Sequence, residues 1–290
     1  MVHIRSCILS NAILLNCHRQ LFEKKMKTDY VILIPSFNSS VKDIKKTLTS
    51  TPGNANILIV DDGSNISFQE NYNQANIYRS GLEILRLEKN VGIENALRLG
   101  VEHLGSSYQY IARLDIGDDG DIERFSKCKE YLDTHKDHVM VGTWGNFVDE
   151  NGKVFFVHKP DVKDEDIRNK MFINNIFIHP SVMMRTDAVL KVGNYRKKYQ
   201  ACEDYDLFFR LMKVGKVANI PLPLLNYTVD YNSISSKKRK TQIINRIKII
   251  CAYFSWYENG FYPYFGLIRN IMMLIVSREL STKLRTLIRR

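Results

Sequence analysis

The chain has 290 residues, of which 44% are hydrophobic and 25% are charged, the composition of a globular protein that buries a substantial core. Its five cysteines are scattered and form no Cys-x-x-Cys pair, which argues against a disulfide framework or zinc site and for a reducing compartment. No stretch reaches the roughly eighteen apolar residues that a membrane-spanning helix needs.

The formal net charge of +11 is concentrated at the two ends of the chain. Residues 237–290 contain twelve Lys/Arg and two Asp/Glu (net +10), and residues 1–27 contain five and one (net +4), which leaves about −3 for residues 28–236. We therefore expect an N-terminal extension over 1–27, an α/β domain over 28–236, and a basic tail over 237–290 with a separate function.

The N-terminal extension resembles a signal peptide only superficially. Polar residues interrupt its apolar run, and no small-residue cleavage site follows. Two alternatives stay open: residues 1–25 are an upstream extension without structure, with Met26 as the true start, or they belong to the folded protein.

The first half of the domain has the pattern of alternating buried strands and helices. Strand-length apolar runs lie at residues 30–35, 56–60, 82–87 and 108–114, and helical spacing is present at residues 41–50 and 93–104. A strand, a helix and a second strand within about thirty residues form a βαβ unit, which predicts a parallel sheet. In such open sheets the ligand binds at the carboxyl ends of the strands.

Polar loops follow the first two strands at that edge. The first loop, P-S-F-N, begins at Pro35, and the second, D-D-G-S, begins at Asp61. Neither loop matches the Gly-rich dinucleotide fingerprint or a P-loop. Their carboxylates and small polar groups suit the hydroxyl and N–H groups of a ribose or a base.

The fourth strand ends in an acidic cluster, I-A-R-L-D-I-G-D-D-G-D, over residues 111–121. Crowded carboxylates repel one another unless a cation lies among them, and a divalent metal ion is the usual partner. Taken alone, such a cluster is more often a solvated acidic turn. The rest of the chain decides between the two interpretations.

The second half of the domain changes character. A helix at 123–135, a strand at 139–145, a hairpin signal at 149–152 and a short helix at 164–171 are predicted in that order. A change from βαβ units to a hairpin is expected where an acceptor-binding half of the domain follows a nucleotide-binding half.

Two further stretches carry candidate functional groups. A strand is predicted over 178–185, opening with His179-Pro180, and a helix is predicted to begin at Glu203-Asp204. Carboxylates at a helix N-terminus are ordinary caps, so helix capping alone explains one or two of them.

From residue 242 onward, apolar and basic residues interleave at helical spacing, with an aromatic cluster between two such segments. Basic amphipathic helices with aromatic residues are typical of proteins that bind an anionic membrane surface. Docking of the helices on the domain, with a basic outer face, is an equal alternative, and both can hold together. Nucleic-acid binding also fits the charge, but no recognition motif accompanies it.

Taken in order, these stretches resemble the inverting glycosyltransferases of family 2, which have the GT-A fold and include the enzymes of bacterial capsule, O-antigen and lipopolysaccharide synthesis. The resemblance covers about residues 30–235. Its motifs are V-I-L-I-P-S-F-N, I-L-I-V-D-D-G-S, N-V-G-I-E-N-A-L-R-L-G, R-L-D-I-G-D, H-P-S-V-M-M-R and E-D-Y-D-L-F-F-R-L. The fold it implies is an α/β domain, with a mostly parallel sheet flanked by helices, followed by the basic amphipathic helical tail.

The resemblance also implies roles for individual residues. Asp204 would be the general base, with Glu203 beside it, and Asp115 and Asp118 would hold a Mg²⁺ or Mn²⁺ ion that bridges the donor's diphosphate. His179 would shape the acceptor side, although an ordinary core histidine is an equal alternative. The residues implied in binding the nucleotide sugar are Pro35, Phe37, Asp61, Asp62, Asn90, Gly92, Arg113 and Asp115.

The chain departs from the family pattern in two places. Family members read D-x-D-D at the acidic cluster, and the second aspartate is Gly117 here. We expect Asp118 to substitute for it, because a glycine gives the backbone freedom to turn a neighbour inward; weak or absent metal binding is the alternative. Many relatives also have an Arg and a His after a Tyr where this chain continues from Tyr227 with T-V-D, so a phosphate contact there is lost or moved.

The resemblance therefore predicts a hexosyl-type glycosyltransferase. It would transfer a sugar from a nucleotide-diphosphate donor to a lipid-linked glycan, with its tail on the inner face of the cell membrane. The alternative is a catalytically silent domain of the same fold that binds sugar or serves as a scaffold. A nucleotidyltransferase is disfavoured, because P-S-F-N-S-S is not the Gly-rich, Lys/Arg-bearing loop that such an enzyme needs after its first strand.

Overall fold

A computed structural model describes residues 28–229, 238–255 and 260–275. The strands are β1 (Thr28–Ser36), β2 (Asn56–Asp61), β3 (Leu82–Arg86), β4 (Tyr108–Arg113), β5 (Asp119–Gly120), β6 (His138–Val148), β7 (Val154–His158), β8 (Met183–Arg185) and β9 (Lys216–Thr228). The helices are α1 (Val41–Thr49), α2 (Phe68–Ala75), α3 (Ile93–Leu104), α4 (Glu123–Thr134), α5 (Asp164–Met171), α6 (Thr186–Lys191), α7 (Glu203–Met212), α8 (Arg239–Tyr253) and α9 (Tyr262–Ile275).

These strands form one mixed sheet in the order β3-β2-β1-β4-β8-β6-β9-β5, and β7 pairs with β6 outside this path. The pairs β1–β2, β2–β3 and β1–β4 are parallel, as the βαβ pattern predicts. The short β8 is antiparallel to both β4 and β6 and so joins the parallel half to the second half. The carboxyl ends of β1, β2 and β4 consequently meet at one edge.

Helices cover both faces of the sheet. Leu33 and Val60 lie in one buried layer with Leu97 of α3, whereas Ile32 and Ile59 point to the opposite layer. Gly100 of α3 is packed so closely that a Cβ atom there would lie 2.7 Å from Leu33 Cδ1. Alternate burial on both faces explains why the strands are continuous apolar runs.

The structure corrects one predicted strand. Residues 178–185 were expected to be a strand, but His179–Ser181 form a 3-10 turn and only Met183–Arg185 are extended. Pro180 occupies the first turn of the 3-10 helix, where its missing N–H costs nothing. The Ser181 hydroxyl donates to Ile178 O at 2.8 Å and accepts from Thr143 N at 3.2 Å, which fixes this turn against β6.

Both described helices of the tail pack on the domain. Ile249 and Ile250 of α8 are buried, and the Tyr253 hydroxyl donates to Asp206 Oδ1 at 2.7 Å. Gly266 of α9 lies so close to Phe172 that a Cβ atom would be 1.9 Å from its carbonyl oxygen. Docking of the tail, one of the two alternatives, is therefore present.

The predictions for the N-terminal extension fall outside the described residues, as do residues 230–237 at the predicted domain boundary and the end of the tail after residue 275. Within the described ranges, the helices are all too short or too polar to cross a bilayer.

Candidate active site

The loops after β1 and β2 are tied together at the carboxyl edge of the sheet. Ser36 is paired with Asp61 in the β1–β2 register. Beyond that pair, Asn38 N–H donates to Ser64 Oγ at 2.9 Å. Pro35 is partly buried at the end of β1, and Phe37 projects beside it with half of its surface exposed. These loops therefore form a fixed rim on which Phe37 is accessible to a ligand.

Asp61 has a structural position within this rim. Its Oδ1 accepts from Ser64 N at 3.0 Å, and its Oδ2 accepts from Phe68 N at 2.9 Å and from Arg86 Nη1 at 3.1 Å. These bonds hold the β2 loop and the start of α2. Both carboxylate oxygens of Asp61 are therefore hydrogen-bonded within the protein, and its predicted contact with the nucleotide sugar stays a prediction.

Asp62 joins the β2 loop to the start of α3. Its two carboxylate oxygens accept from Val91 N at 2.8 Å and Gly92 N at 3.0 Å, while burial raises its pKa. Gly92 has a φ of +90°, which favours glycine. Gly63 packs so tightly that a Cβ atom would lie 2.6 Å from Asn90 N, and Asn90 itself is exposed.

The acidic cluster forms a turn that directs Asp118 into the protein. Gly117 has a φ of +97°, and a Cβ atom there would meet nothing within 4 Å, so backbone conformation rather than space selects glycine. The Thr47 hydroxyl of α1 accepts from Gly117 N at 2.9 Å and donates to Asp118 O at 2.8 Å. The prediction that Gly117 turns its neighbour inward agrees with this geometry.

Asp118 is almost fully buried. Its Oδ1 accepts from Thr228 N at 2.8 Å, and its buried Oδ2 has no hydrogen-bond partner among the residues described. Burial, and then the charge of Asp115, raises the pKa of Asp118 well above its usual value. A buried acceptor in this state needs either a proton or a cation.

Lys46 of α1 contacts the Asp118 turn, although no sequence pattern predicts that contact. Lys46 Nζ donates to Gly117 O at 3.0 Å and to Thr228 Oγ1 at 2.8 Å, and lies 3.4 Å from Asp119 Oδ2. Its charge opposes the rise in the pKa of Asp118. Lys46 lies on α1, far from the cluster in sequence, so only the fold reveals this contact.

Arg113 connects the acidic turn to His179. The guanidinium is fully buried and donates to Asp115 Oδ1 at 2.6 Å, to Leu33 O, and to His179 Nε2 at 3.3 Å. Because arginine only donates, Nε2 must be the acceptor, and the Tyr195 hydroxyl, 2.8 Å away, can donate to it as well. Burial and the charge of Arg113 lower the pKa of His179 well below its usual value, so this histidine is neutral.

Glu203 and Asp204, at the start of α7, differ in their partners. Asp204 Oδ2 accepts from Asn175 Nδ2 at 2.8 Å, and its Oδ1 accepts from Tyr205 N at 2.7 Å. Glu203 Oε2 is buried and has no partner in the described part of the chain. Burial and the neighbouring Asp204 raise the pKa of Glu203 to about 8.

Burial also raises the pKa of Asp204, but its N–H donors and the charge of Arg246 oppose the increase. Asp204 therefore has hydrogen-bond donors that favour its ionised form, whereas the buried Glu203 Oε2 has no partner in the described chain. Asp204 Oδ1 thus binds a backbone N–H in the first turn of α7, as a capping carboxylate does, while its Oδ2 binds Asn175.

A single cavity of about 680 Å³ brings together Asp115, Asp118, His179, Glu203 and Asp204. The nucleotide-side residues, including Phe37 and Asp62, do not line it, but Ile93, directly after Gly92, does. The predicted site residues therefore form two adjoining groups. Residues that line the cavity and were absent from the sequence prediction include Phe147, Phe156, His158, Asn175, Tyr227, Gln242 and Arg246.

The contribution of α8 to the cavity was missed because the tail was assigned a separate function. Arg246 Nη1 donates to Asn174 Oδ1 at 3.0 Å, directly beside the Asn175 that binds Asp204. Gln242 and Arg246 are four residues apart, which places them on the same face of the helix. That spacing was a readable signal for a polar face turned toward the domain.

The sequence has identifiable relatives. The model described as Glycosyl transferase family 2 matches residues 31–193. The chain is 30% identical over 181 residues to the amylovoran biosynthesis glycosyltransferase AmsE of Erwinia amylovora, a match that covers 62% of this chain and 66% of the relative. It is 26% identical over 200 residues to the UDP-Gal:alpha-D-GlcNAc-diphosphoundecaprenol beta-1,3-galactosyltransferase of Escherichia coli, covering 69% and 70%. The match thus spans slightly less than two thirds of AmsE.

Solved structures of similar fold include S. aureus TarS 1–349 in complex with UDP-GlcNAc, with a TM-score of 0.61 at 13% identity over 85% of this chain and 73% of that one. The mannosyltransferase PcManGT of Pyrobaculum calidifontis, in complex with GDP-Man and Mn²⁺, has a TM-score of 0.60 at 10% identity over 87% and 71%. At these identities the likeness is one of fold.

Proposed function

Because the chain belongs to glycosyl transferase family 2, we propose that it transfers one sugar from a nucleotide-diphosphate donor to a glycan acceptor, with inversion, in the synthesis of a bacterial surface polysaccharide. The observation that carries this proposal is the arrangement of the cavity. Asp204, held by Asn175, shares it with the buried Asp118 and the partly exposed Asp115. This supports a base on one side and a site for the leaving diphosphate on the other.

Asp204 is the proposed general base. An acceptor hydroxyl would lose its proton to Asp204 as its oxygen bonds to the anomeric carbon of the donor sugar. The bond from that carbon to the diphosphate oxygen breaks, and the nucleoside diphosphate leaves with the electron pair. A single displacement of this kind inverts the anomeric configuration. Burial and the neighbouring Asp204 raise the pKa of Glu203 to about 8, and its buried Oε2 has no donor in the described chain, so Asp204 is the better candidate for this role.

Asp115 and Asp118 would hold a divalent cation, Mn²⁺ or Mg²⁺. The buried Asp118 Oδ2, without a partner in the described chain, fits this role, because oxygen ligands suit hard cations that also bind phosphate oxygens. The described residues contain no cluster of three metal-ligating side chains, so donor oxygens or water would complete the coordination. When bound, the cation would neutralise charge on the leaving diphosphate.

The nucleoside would bind along the rim formed by Pro35, Phe37, Asp62 and Gly92, with Asn90 beside it. Phe37 is exposed enough to contact a base, while the buried carboxylate of Asp62 fixes the start of α3. Ile93 connects this rim to the cavity, so a donor laid along the rim would reach Asp115 with its diphosphate.

The acceptor is proposed to be lipid-linked, as is the acceptor in the name of the galactosyltransferase relative. Helix α9 supports peripheral contact with the anionic inner face of the membrane, because it buries one face on the domain and exposes an apolar stripe on the other. Residues 237–290 carry a net charge of +10, which would attract them to an anionic surface. The stripe consists of Phe261, Phe265, Ile268, Met272 and Ile275.

Donor turnover tests the enzymatic proposal against a catalytically silent domain, the interpretation that Gly117 favours. Purified protein is incubated with a panel of nucleotide sugars and Mn²⁺ or Mg²⁺, and released nucleoside diphosphate is measured. We expect turnover of at least one donor, and an unchanged rate for Asp166→Asn, an exposed aspartate on α5. If no nucleotide sugar is bound or turned over, the enzymatic function is wrong.

A further inference from the structure

Three aromatic rings form a row across the second half of the sheet. Phe156 on β7, Phe147 on β6 and Tyr227 on β9 are direct register partners, so their side chains leave the same face of the sheet. The ring centroids of Phe147 and Phe156 are 4.6 Å apart with planes 18° from parallel, and those of Phe147 and Tyr227 are 4.9 Å apart. We call these three residues the aromatic platform.

The aromatic platform is one wall of the cavity that contains the catalytic carboxylates. All three residues line it, together with His158, whose ring lies 5.7 Å from Phe147 and nearly perpendicular to it. Phe156 keeps 37% of its surface exposed on a strand that lies outside the main path of the sheet. A ligand in the cavity would therefore lie between this row of aromatic rings and the groups around Asp204.

Cross-strand aromatic pairs also stabilise sheets, by roughly 0.2–1 kcal/mol each, and this contribution is expected here. It does not account for the position of the platform. A hairpin stabilised only by ring packing would gain more by covering Phe156 than by opening it to a cavity lined with carboxylates. The arrangement is better explained by a ligand that has both an apolar face and hydroxyl groups.

A pyranose ring has this amphipathic character. Its axial C–H bonds form an apolar face whose hydrogens are attracted to the electron-rich face of an aromatic ring, while its hydroxyls project around the edge. The nucleobase is a poorer candidate, because the rim that would bind it, including Phe37 and Asp62, lies outside the cavity.

We propose that Phe147, Phe156 and Tyr227 bind the acceptor's terminal pyranose through apolar contact with its C–H face, so that its attacking hydroxyl points across the cavity to Asp204. This inference rests on the proposed glycosyltransferase function and assigns the acceptor subsite within it. Asn175 donates to Asp204 Oδ2 and lines the same cavity. It can therefore also contact the sugar hydroxyl next to the attacking one.

Strand β7 provides a matched pair of variants. Phe155 and Phe156 are neighbours on the same strand, so their side chains point to opposite faces, and both are exposed. Phe156→Ala removes a ring of the platform, whereas Phe155→Ala removes the same ring from the other face. Phe156→Tyr keeps the aromatic face. Because both positions are exposed, we expect all three proteins to fold.

The probes are methyl glycosides of glucose, galactose, mannose and N-acetylglucosamine, measured by saturation-transfer NMR in the presence of UDP or GDP. We expect at least one glycoside to bind with transfer concentrated on the C–H protons of one ring face. Phe156→Ala should weaken that binding about tenfold, and Phe155→Ala and Phe156→Tyr should change it less than twofold. The affinity for the nucleotide sugar should be the same in all four proteins.

Two results would overturn the assignment: equal effects of Phe156→Ala and Phe155→Ala, or no glycoside whose binding depends on Phe156. Loss of nucleotide-sugar affinity in Phe156→Ala would also overturn it, because the platform would then bind the donor. Failure of the enzymatic proposal looks different, since wild-type protein would then neither bind nor turn over any nucleotide sugar.

Discussion

Glu203 and Asp204 are adjacent in the chain, yet they have different hydrogen-bond partners. Asp204 has an amide and a backbone N–H as donors, whereas Glu203 Oε2 has none in the described structure. Two buried carboxylates this close cannot both ionise easily, so the better-solvated one keeps the charge. Asp204 is proposed as the base because of its hydrogen-bond donors, and not because it is an aspartate rather than a glutamate.

The raised pKa of Glu203 makes stability depend on pH. Its folded-state pKa of about 8 exceeds the value of roughly 4.3 in an unfolded chain. The folded state therefore binds the extra proton between these values, and wild-type stability falls as pH rises through this window. Glu203→Gln cannot titrate, so we expect thermal melting to show similar midpoints near pH 5 and a higher midpoint for the variant above pH 8. An equal difference at both pH values would contradict the assigned pKa.

Asp118 provides a test of the metal site that is independent of turnover. With UDP or GDP present, isothermal titration should show that Asp118→Asn weakens Mn²⁺ binding by at least about 10–100-fold. That is the loss typically seen when a residue that only orients a metal ligand is removed. Because the cation displaces a proton from a carboxyl of raised pKa, wild-type Mn²⁺ affinity should increase with pH. Asp121→Asn, an exposed residue of the same loop, is the control. Equal affinities in the two variants would show that Asp118 is not a ligand.

At the scale of elements, the parallel half of the sheet could be predicted from the sequence, because its buried strands and amphipathic helices have distinct periods. Strand β9 was missed because Pro221 and Pro223 interrupt it, and its pairing with β6 shifts register opposite them. Helix α2 was also missed, although Ser67 caps it by accepting from Glu70 N at 3.1 Å. Neither element depends on a local pattern strong enough to specify it without the rest of the fold.

In the candidate site, too, some residues could be predicted from the sequence and others could not. Asp115, Asp118, Glu203 and Asp204 could be selected because carboxylates at strand and helix ends fit a recognisable family pattern, and the structure places them in one cavity. Lys46 could not be selected, because its contact with the acidic turn exists only after α1 packs beside that turn. The roles of the selected residues stay predictions until they are measured.

Helix α8 is predicted to stabilise the domain through one face only. Ile249 is fully buried, whereas Ile244 on the same helix is 43% exposed. Truncating a buried isoleucine to alanine costs about 2–5 kcal/mol, so Ile249→Ala should lower the free energy of unfolding by that amount. Ile244→Ala should cost less than about 1 kcal/mol, as most surface changes do. Chemical denaturation measures both values, and similar losses would contradict the observed docking of α8.

At the scale of the whole molecule, the two described helices of the tail contribute to two different surfaces, the cavity and an exposed apolar stripe. Helix α8 lines the cavity with Arg246, and α9 turns its apolar stripe away from the domain. The part of the chain after the predicted boundary near residue 236 therefore also contributes residues to the candidate site. A lipid-linked acceptor would then be presented from the membrane beside α8, which lines the proposed binding cavity.

Membrane contact through α9 can be measured by sedimentation with vesicles. The double variant Phe265→Ser with Ile268→Ser removes the centre of the apolar stripe, so it should bind vesicles containing phosphatidylglycerol several-fold more weakly than wild type. Ile66→Ser, at a similarly exposed position in the loop before α2, is the control. Unchanged sedimentation of the double variant would exclude α9 as the membrane-binding surface.

The central claim is that Asp204, rather than Glu203, is the base of an inverting sugar transfer. The most direct measurement is the rate of acceptor-dependent nucleoside diphosphate release near pH 7 for wild type, Asp204→Asn and Glu203→Gln, with nucleotide-sugar affinity measured alongside. We predict that Asp204→Asn lowers the rate by about 10²–10⁴-fold while still binding the donor, and that Glu203→Gln stays within about tenfold of wild type. A rate for Asp204→Asn close to that of wild type, or a larger loss in Glu203→Gln, would contradict the claim.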